Sequence, residues 1–343
     1  MRLILQRSMP AIALFLVTLP GSAHHSQAIY DRQREVKVEG VVTRFLWAMP
    51  HAYIDISTPD EGAESVTWTI ETGGPPGLTR SGWTPRTLVP GDHVTVIGNP
   101  SRNPERRTAL LKSVVKADGS LLSLSGSPAA DTANPPAQFE AADLSGPWQI
   151  TPDANAVFAQ LIQPRASWSL TDKGIAAVES FDVNADNPDK DCTPQIAPLS
   201  LLGALLDIVP GEDVILIRTE DHQDDRTVHM DLESHDGAQV SRQGHSIGHW
   251  ENDVLVVDTT RFADHPIGNG IGLPSGPQRH FVERFALTAD RTQLEYTFRL
   301  EDPEYLAEPV TDTLVFTYRP DLPFVSEPCN LESARRYLEF VEE

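Results

Sequence analysis

The chain has 343 residues, with 27 Lys and Arg against 49 Asp and Glu for a net charge of −22. So large an acidic excess excludes nucleic acid and heparin-like polyanions as partners, because binding them depends on neutralising anionic groups with basic side chains. Apolar residues at 40% with 22% charged suit packed cores, and 28 prolines scattered among the glycines argue for short strands over long helices. The length fits two domains of about 150 residues each.

Residues 1–23 open with Arg2 and Arg7, pass through an apolar run at 11–17 and the Pro20–Gly21 break, and end on Gly21, Ser22 and Ala23. That is the form of a secretory signal peptide. The apolar run is shorter than the about 20 residues that span a bilayer, so cleavage after Ala23 and a periplasmic or secreted product are expected. No later segment is expected to cross a membrane. An oxidising compartment favours a Cys192–Cys329 bridge over two free thiols. Two cysteines are too few for an iron–sulfur cluster or a four-thiolate zinc site.

From 24 to 118 the pattern is strand after strand, at 36–42, 53–56, 66–70, 93–97 and 110–115, rich in β-branched residues and partly alternating. This predicts a small closed barrel, OB-like, although an SH3-like barrel reads the same way. Residues 119–140 shift to Gly, Ser, Ala, Pro and Asp and read as a linker. A second domain is expected over 141–343, with strands at 214–219, 227–232, 254–259, 280–285, 294–300 and 313–318. Their spacing leaves no room for crossover helices and predicts a lipocalin-like antiparallel barrel, making the whole protein all-β. The apolar run 199–208 is expected to form a helix or lid.

The series Ala23-His24-His25-Ser26, Tyr30-Asp31, Trp47 with Met49-Pro50-His51, and Gly82-Trp83 resembles a family of small secreted bacterial proteins of unknown function. Its members read AHHS, YD, WxNPH and GW; Met49 stands here in place of the usual Asn. The stretch GHWENDVLVVDTT at 248–260, RHFVERF at 279–285 and Glu301-Asp302-Pro303 resemble a second secreted family with GxWEGDTLVVDT, LHVVERF and EDP. That family ends CxEN, whereas here Cys329 is followed by Asn330, Leu331 and Glu332. Neither resemblance implies an activity, but the second singles out Arg226, Asp258, His280 and Glu283.

Cleavage after Ala23 would give His24 a free α-amine beside its imidazole. With a third nitrogen this becomes a histidine brace suited to copper. His51 is the chosen third ligand, with His25 and His93 as rivals, and cleavage one residue earlier would place His25 third in a different square-planar copper or nickel site. The alternative is a terminal histidine pair that holds no metal.

The second domain has seven histidines, His222, His229, His235, His245, His249, His265 and His280. His280 with Asp258 or Glu283 suits general acid–base chemistry, and Arg226 suits an anionic or enolate oxygen. Alternation puts His280 and Glu283 on opposite faces of a regular strand, so the simpler reading makes one of them structural. A rim salt bridge is the alternative for each charged residue.

Ser246 completes a G-x-S-x-G match without the strand-to-helix elbow that a hydrolase nucleophile needs. His245 and His249 lack the HExxH glutamate, and no Walker or Rossmann fingerprint calls for a nucleotide cofactor. Two functions are expected as alternatives. One is a periplasmic binding protein for copper, for a small apolar molecule in the second barrel, or for both. The other is a cofactor-independent lyase or isomerase acting on a small apolar or aromatic substrate.

Overall fold

The computed structural model describes residues 29–59, 65–123, 138–151, 160, 161, 163–202, 205–220 and 224–341. Strands β1 (Val36–Leu46), β2 (Tyr53–Pro59), β3 (Ser65–Glu71), β4 (His93–Pro100) and β5 (Thr108–Lys116) match the five that alternation predicts. They close in the order β1-β2-β3-β5-β4, antiparallel except where β3 meets the first half of β5. The second half of β5 pairs with β6 (Leu121–Ser123), within the stretch expected to be linker. Inward positions such as Val38, Val42, Ile54, Ile56, Ile70, Val96 and Val114 pack with Trp83 as one core. Gly40 allows the wall to bend, since a Cβ there would stand 2.3 Å from the Ser57 carbonyl oxygen.

The second barrel has nine strands: β7 (Gly146–Ile150), β8 (Leu205–Pro210), β9 (Val214–Thr219), β10 (Arg226–His229), β11 (His245–Glu251), β12 (Val254–Thr260), β15 (His280–Leu287), β16 (Gln293–Glu301) and β17 (Val310–Tyr318). Between β12 and β15 the chain makes a separate hairpin, β13 (His265–Gly270) with β14 (Leu273–Ser275). The barrel is antiparallel except for the β10–β11 pair, because a long connection over 230–244 carries the chain back before β11 begins. The run expected as helix or lid divides. Leu199–Leu201 forms a 3₁₀ turn, and Leu205–Pro210 is strand β8, whose Leu206 and Ile208 alternate into the core.

Inward positions of the second barrel are filled by Trp148, Phe281, Phe285, Phe298 and Phe316 among aliphatic residues. The interior is therefore packed with the protein's own aromatic and aliphatic side chains, with buried Arg226, Arg279 and Glu283 among them.

After β17 the chain returns to the first barrel. Cys329 is bridged to Cys192, and Asn330 N donates to the Met49 carbonyl at 3.0 Å. The helix Leu331–Arg335 then brings Ser333 onto His51, accepting from His51 N at 3.2 Å and donating to His51 O at 2.6 Å. Arg336 reaches both oxygens of Asp55 at 2.6 and 2.7 Å. A second tie joins the barrels where Arg80 Nη1 meets the buried Glu220 at 2.7 and 2.9 Å. Among the described residues no helix is long and apolar enough to cross a membrane.

Candidate functional site

Asp258 lies on β12 opposite Val282 of β15, on the face of the barrel wall turned away from the core. Its Oδ2 is 2.7 Å from His280 Nε2 and its Oδ1 is 2.9 Å from His235 Nε2. The chain of contacts continues, since His235 Nδ1 lies 2.9 Å from His245 Nδ1. The His245 ring in turn stacks on His229 with centroids 5.0 Å apart. Asp258 and His280 are more than one-third exposed, at 38% and 39%, so the cluster meets solvent while its hydrogen bonds hold it in register. Desolvation, followed by the fields of His235, His229 and Arg261, holds His245 below the ordinary imidazole range. Next to His229 and His245 the surface forms a cleft of about 360 Å³, walled by Asp224, Thr227, Ser241, Arg242 and Gln243.

Glu283 and Arg226 occupy the opposite side of the same wall. Glu283 is fully buried, and its carboxylate takes Arg226 Nη1 at 2.5 Å, Arg226 Nη2 at 2.7 Å and the Tyr296 hydroxyl at 2.8 Å. Burial, then the Glu283 charge, pushes the Tyr296 phenol well above its usual range, so it remains a donor. The four acid–base candidates thus form two separate groups. Alternation along β15 sends Phe281, Glu283 and Phe285 into the core and leaves His280 outside. Both terminal nitrogens of Arg226 are engaged by Glu283.

In the first barrel His51 is partly exposed and sits between β1 and β2. Its Nδ1 is 3.2 Å from the Thr72 carbonyl and 3.7 Å from Glu71 Oε1. Glu71 is fully buried; the Tyr30 hydroxyl donates to its Oε2 at 2.9 Å, and Oε1 has no hydrogen-bond partner among the described residues. His24 and His25 lie outside the described residues, as does His222. His93 is exposed at the start of β4, paired with Val41. Among the described residues no group of three or more His, Cys, Asp or Glu forms a metal shell. Ser246 lies within β11, buried, with its hydroxyl 2.8 Å from that of Thr259.

The sequence offered Asp258 or Glu283 as the partner of His280 and left out His235, His245 and His229. A count of histidines flags them. Nothing in their spacing brings them together, because His235 arrives from the irregular 230–244 connection.

Fold and site define an all-β protein of two barrels with a histidine–carboxylate cluster on the wall of the second. A family model described as a family of unknown function (DUF6152) matches residues 13–110, a span that ends within β5 of the first barrel, and to that extent the chain is similar to that family. No curated protein matches the chain.

Proposed function

We propose that the protein is exported to the periplasm or beyond the cell and acts as a lyase or isomerase without a nucleotide cofactor, at the outer wall of the second barrel. The observation that carries this reading is Asp258, whose two oxygens each hold an imidazole at hydrogen-bond distance. A carboxylate so placed fixes the ring tautomer and stabilises the imidazolium formed when a proton is taken up. In such a reaction an imidazole of this cluster removes a proton from a carbon next to a carbonyl. The proton is then returned to a neighbouring atom, or a leaving group departs, so no external oxidant is required. The packed interior directs the substrate to the outer wall rather than the barrel centre. On this reading the chain joins a domain of the small secreted family to a second secreted module carrying residues 248–303.

The test is exchange of α-protons of small carbonyl compounds in D2O, followed by proton NMR. Exchange above buffer that falls roughly 100-fold in Asp258→Asn, the scale expected for a positioned acid–base group, supports the reading. Exchange equal in wild type and variant refutes it.

A second reading, copper binding at the amino terminus, is favoured by the geometry of His51. With its Nδ1–H donated to Thr72 O beside Glu71, a neutral His51 keeps a bare Nε2, the usual arrangement for a metal-binding imidazole. His24, made terminal by cleavage after Ala23, supplies an amine and an imidazole, with His25 as the rival ligand, and Tyr30 leads the following segment to Glu71. Such a nitrogen set prefers Cu(II) to Zn(II). Protein beginning at His24 should bind one Cu(II), and an added Ala before His24 should weaken binding; equal binding by both forms refutes the brace.

A further inference from the structure

We propose that the Asp258–His235–His245 series is a proton relay that makes His245 Nε2 a base for a small neutral hydroxy-carbonyl compound in the adjoining cleft. This rests on the acid–base reading of Asp258 and places the reacting nitrogen on His245.

An ionised carboxylate only accepts hydrogen bonds, so the imidazole nitrogens facing Asp258, Nε2 of His280 and Nε2 of His235, both carry hydrogen. A neutral His235 protonated at Nε2 has a bare Nδ1. That nitrogen lies 2.9 Å from His245 Nδ1, and two nitrogens at this separation share one hydrogen, which must therefore belong to His245. His245 then carries its proton on Nδ1 and has a bare Nε2, for which no partner occurs among the described residues. Each ring orientation is dictated by the one before it, starting from a single carboxylate.

The same series disposes of the charge. When His245 Nε2 takes a proton from substrate, its Nδ1 proton can pass to His235 Nδ1. His235 is then the imidazolium, bonded at Nε2 to Asp258, and His245 is again neutral. The positive charge ends one ring away from substrate and beside its counter-ion, and returning the proton reverses both transfers.

His280 shares the carboxylate but is not among the residues walling the cleft, whereas His245 and His229 are. The charges in the cleft are already matched, with Arg242 Nη2 on Asp224 Oδ1 at 2.7 Å and Gln243 Nε2 on Asp224 Oδ2 at 2.6 Å. An ionic ligand would have to break that pairing, so hydroxyl and carbonyl groups fit better than a phosphate or an ammonium. A volume of about 360 Å³ lies at the small end for ligand sites.

Two measurements on the full exported chain decide the matter. Nitrogen-15 NMR of the imidazoles should show His235 protonated at Nε2 and His245 protonated at Nδ1, with both assignments lost in Asp258→Asn. The opposite tautomer on either ring overturns the relay whatever activity is found. With dihydroxyacetone as the probe in D2O, exchange of its α-protons should fall at least tenfold in His245→Gln and in His235→Gln, with circular dichroism unchanged. Loss in His280→Gln alone overturns the relay while leaving the acid–base reading in place. No exchange above buffer by wild type, with the expected tautomers present, overturns the assigned substrate class.

Discussion

Glu283→Gln separates the two groups of acid–base candidates by what each does for the fold. The substitution keeps the volume but replaces one acceptor oxygen by an amide donor, facing either a guanidinium N–H or the Tyr296 hydroxyl. It also strands Arg226, which is 5% exposed. A second buried guanidinium shares this interior. Desolvation holds Arg279 down to about 10, against the opposing fields of Asp302 and Glu283, so removing the Glu283 charge leaves two cations under-compensated. Breaking a buried pair by removing one partner costs about 3–5 kcal/mol, a large share of the about 5–15 kcal/mol that a typical protein has. For a domain of this size the expected fall in Tm is roughly 10 °C.

Urea unfolding followed through the emission of buried Trp148 measures the loss. Replacing both partners, Arg226→Met with Glu283→Leu, should recover most of it, because an apolar pair needs no desolvation. His280→Ala, on the exposed face, should cost less than about 1 kcal/mol. A Glu283→Gln loss below about 1 kcal/mol, or a double variant no more stable than the single, would refute the assignment of Glu283 and Arg226 to a closed structural network.

Breaking the bridge with Cys192→Ser should destabilise the protein by about 5 kcal/mol in the loop-entropy model for a separation of 137 residues, and denaturation with and without reductant should then coincide; a persisting difference would show that some other effect of reductant is at work. Burial holds His265 below its usual range, with Nε2 3.0 Å from the Pro194 carbonyl, and His245 is lowered as well. Protonation of both therefore favours the unfolded chain, so stability should be full above the unfolded value of about 6.5 and fall as the pH drops below it. Thermal melts between pH 7.5 and 5 check this, and a flat profile contradicts it. Glu71→Gln should change the metal-free Tm little, since Oε1 has no hydrogen bond to lose, yet weaken Cu(II) binding by about 10-fold or more through the orientation of His51. Calorimetric titration against a competing chelator reads the affinity, and an unchanged value removes Glu71 from the site.

The first barrel was legible because β-branched residues mark its five strands and because, in a strand such as β4, period-two alternation writes burial directly into residues such as Val94 and Val96. The split between His280 and Glu283 was legible for the same reason: two positions an odd number apart on a regular strand point to opposite sides. The cysteine pairing was limited to one partner by the count. The strand at Leu205–Pro210 was hidden because a short apolar run serves a helix and a strand equally well until neighbouring strands supply its hydrogen bonds.

By itself, then, the sequence determined the all-β class, the strands of the first barrel and the separation of His280 from Glu283 across the barrel wall, all of which rest on local periodicity or on residue type. Only the tertiary structure decided that Glu283 takes both Arg226 and Tyr296, that the C-terminal helix returns to clamp His51, and that His235 completes a line from Asp258 to His245. Those contacts join residues whose separation in the chain has no period. They depend on where an irregular connection or a terminal segment comes to rest, which packing and hydrogen-bond satisfaction across the whole molecule settle.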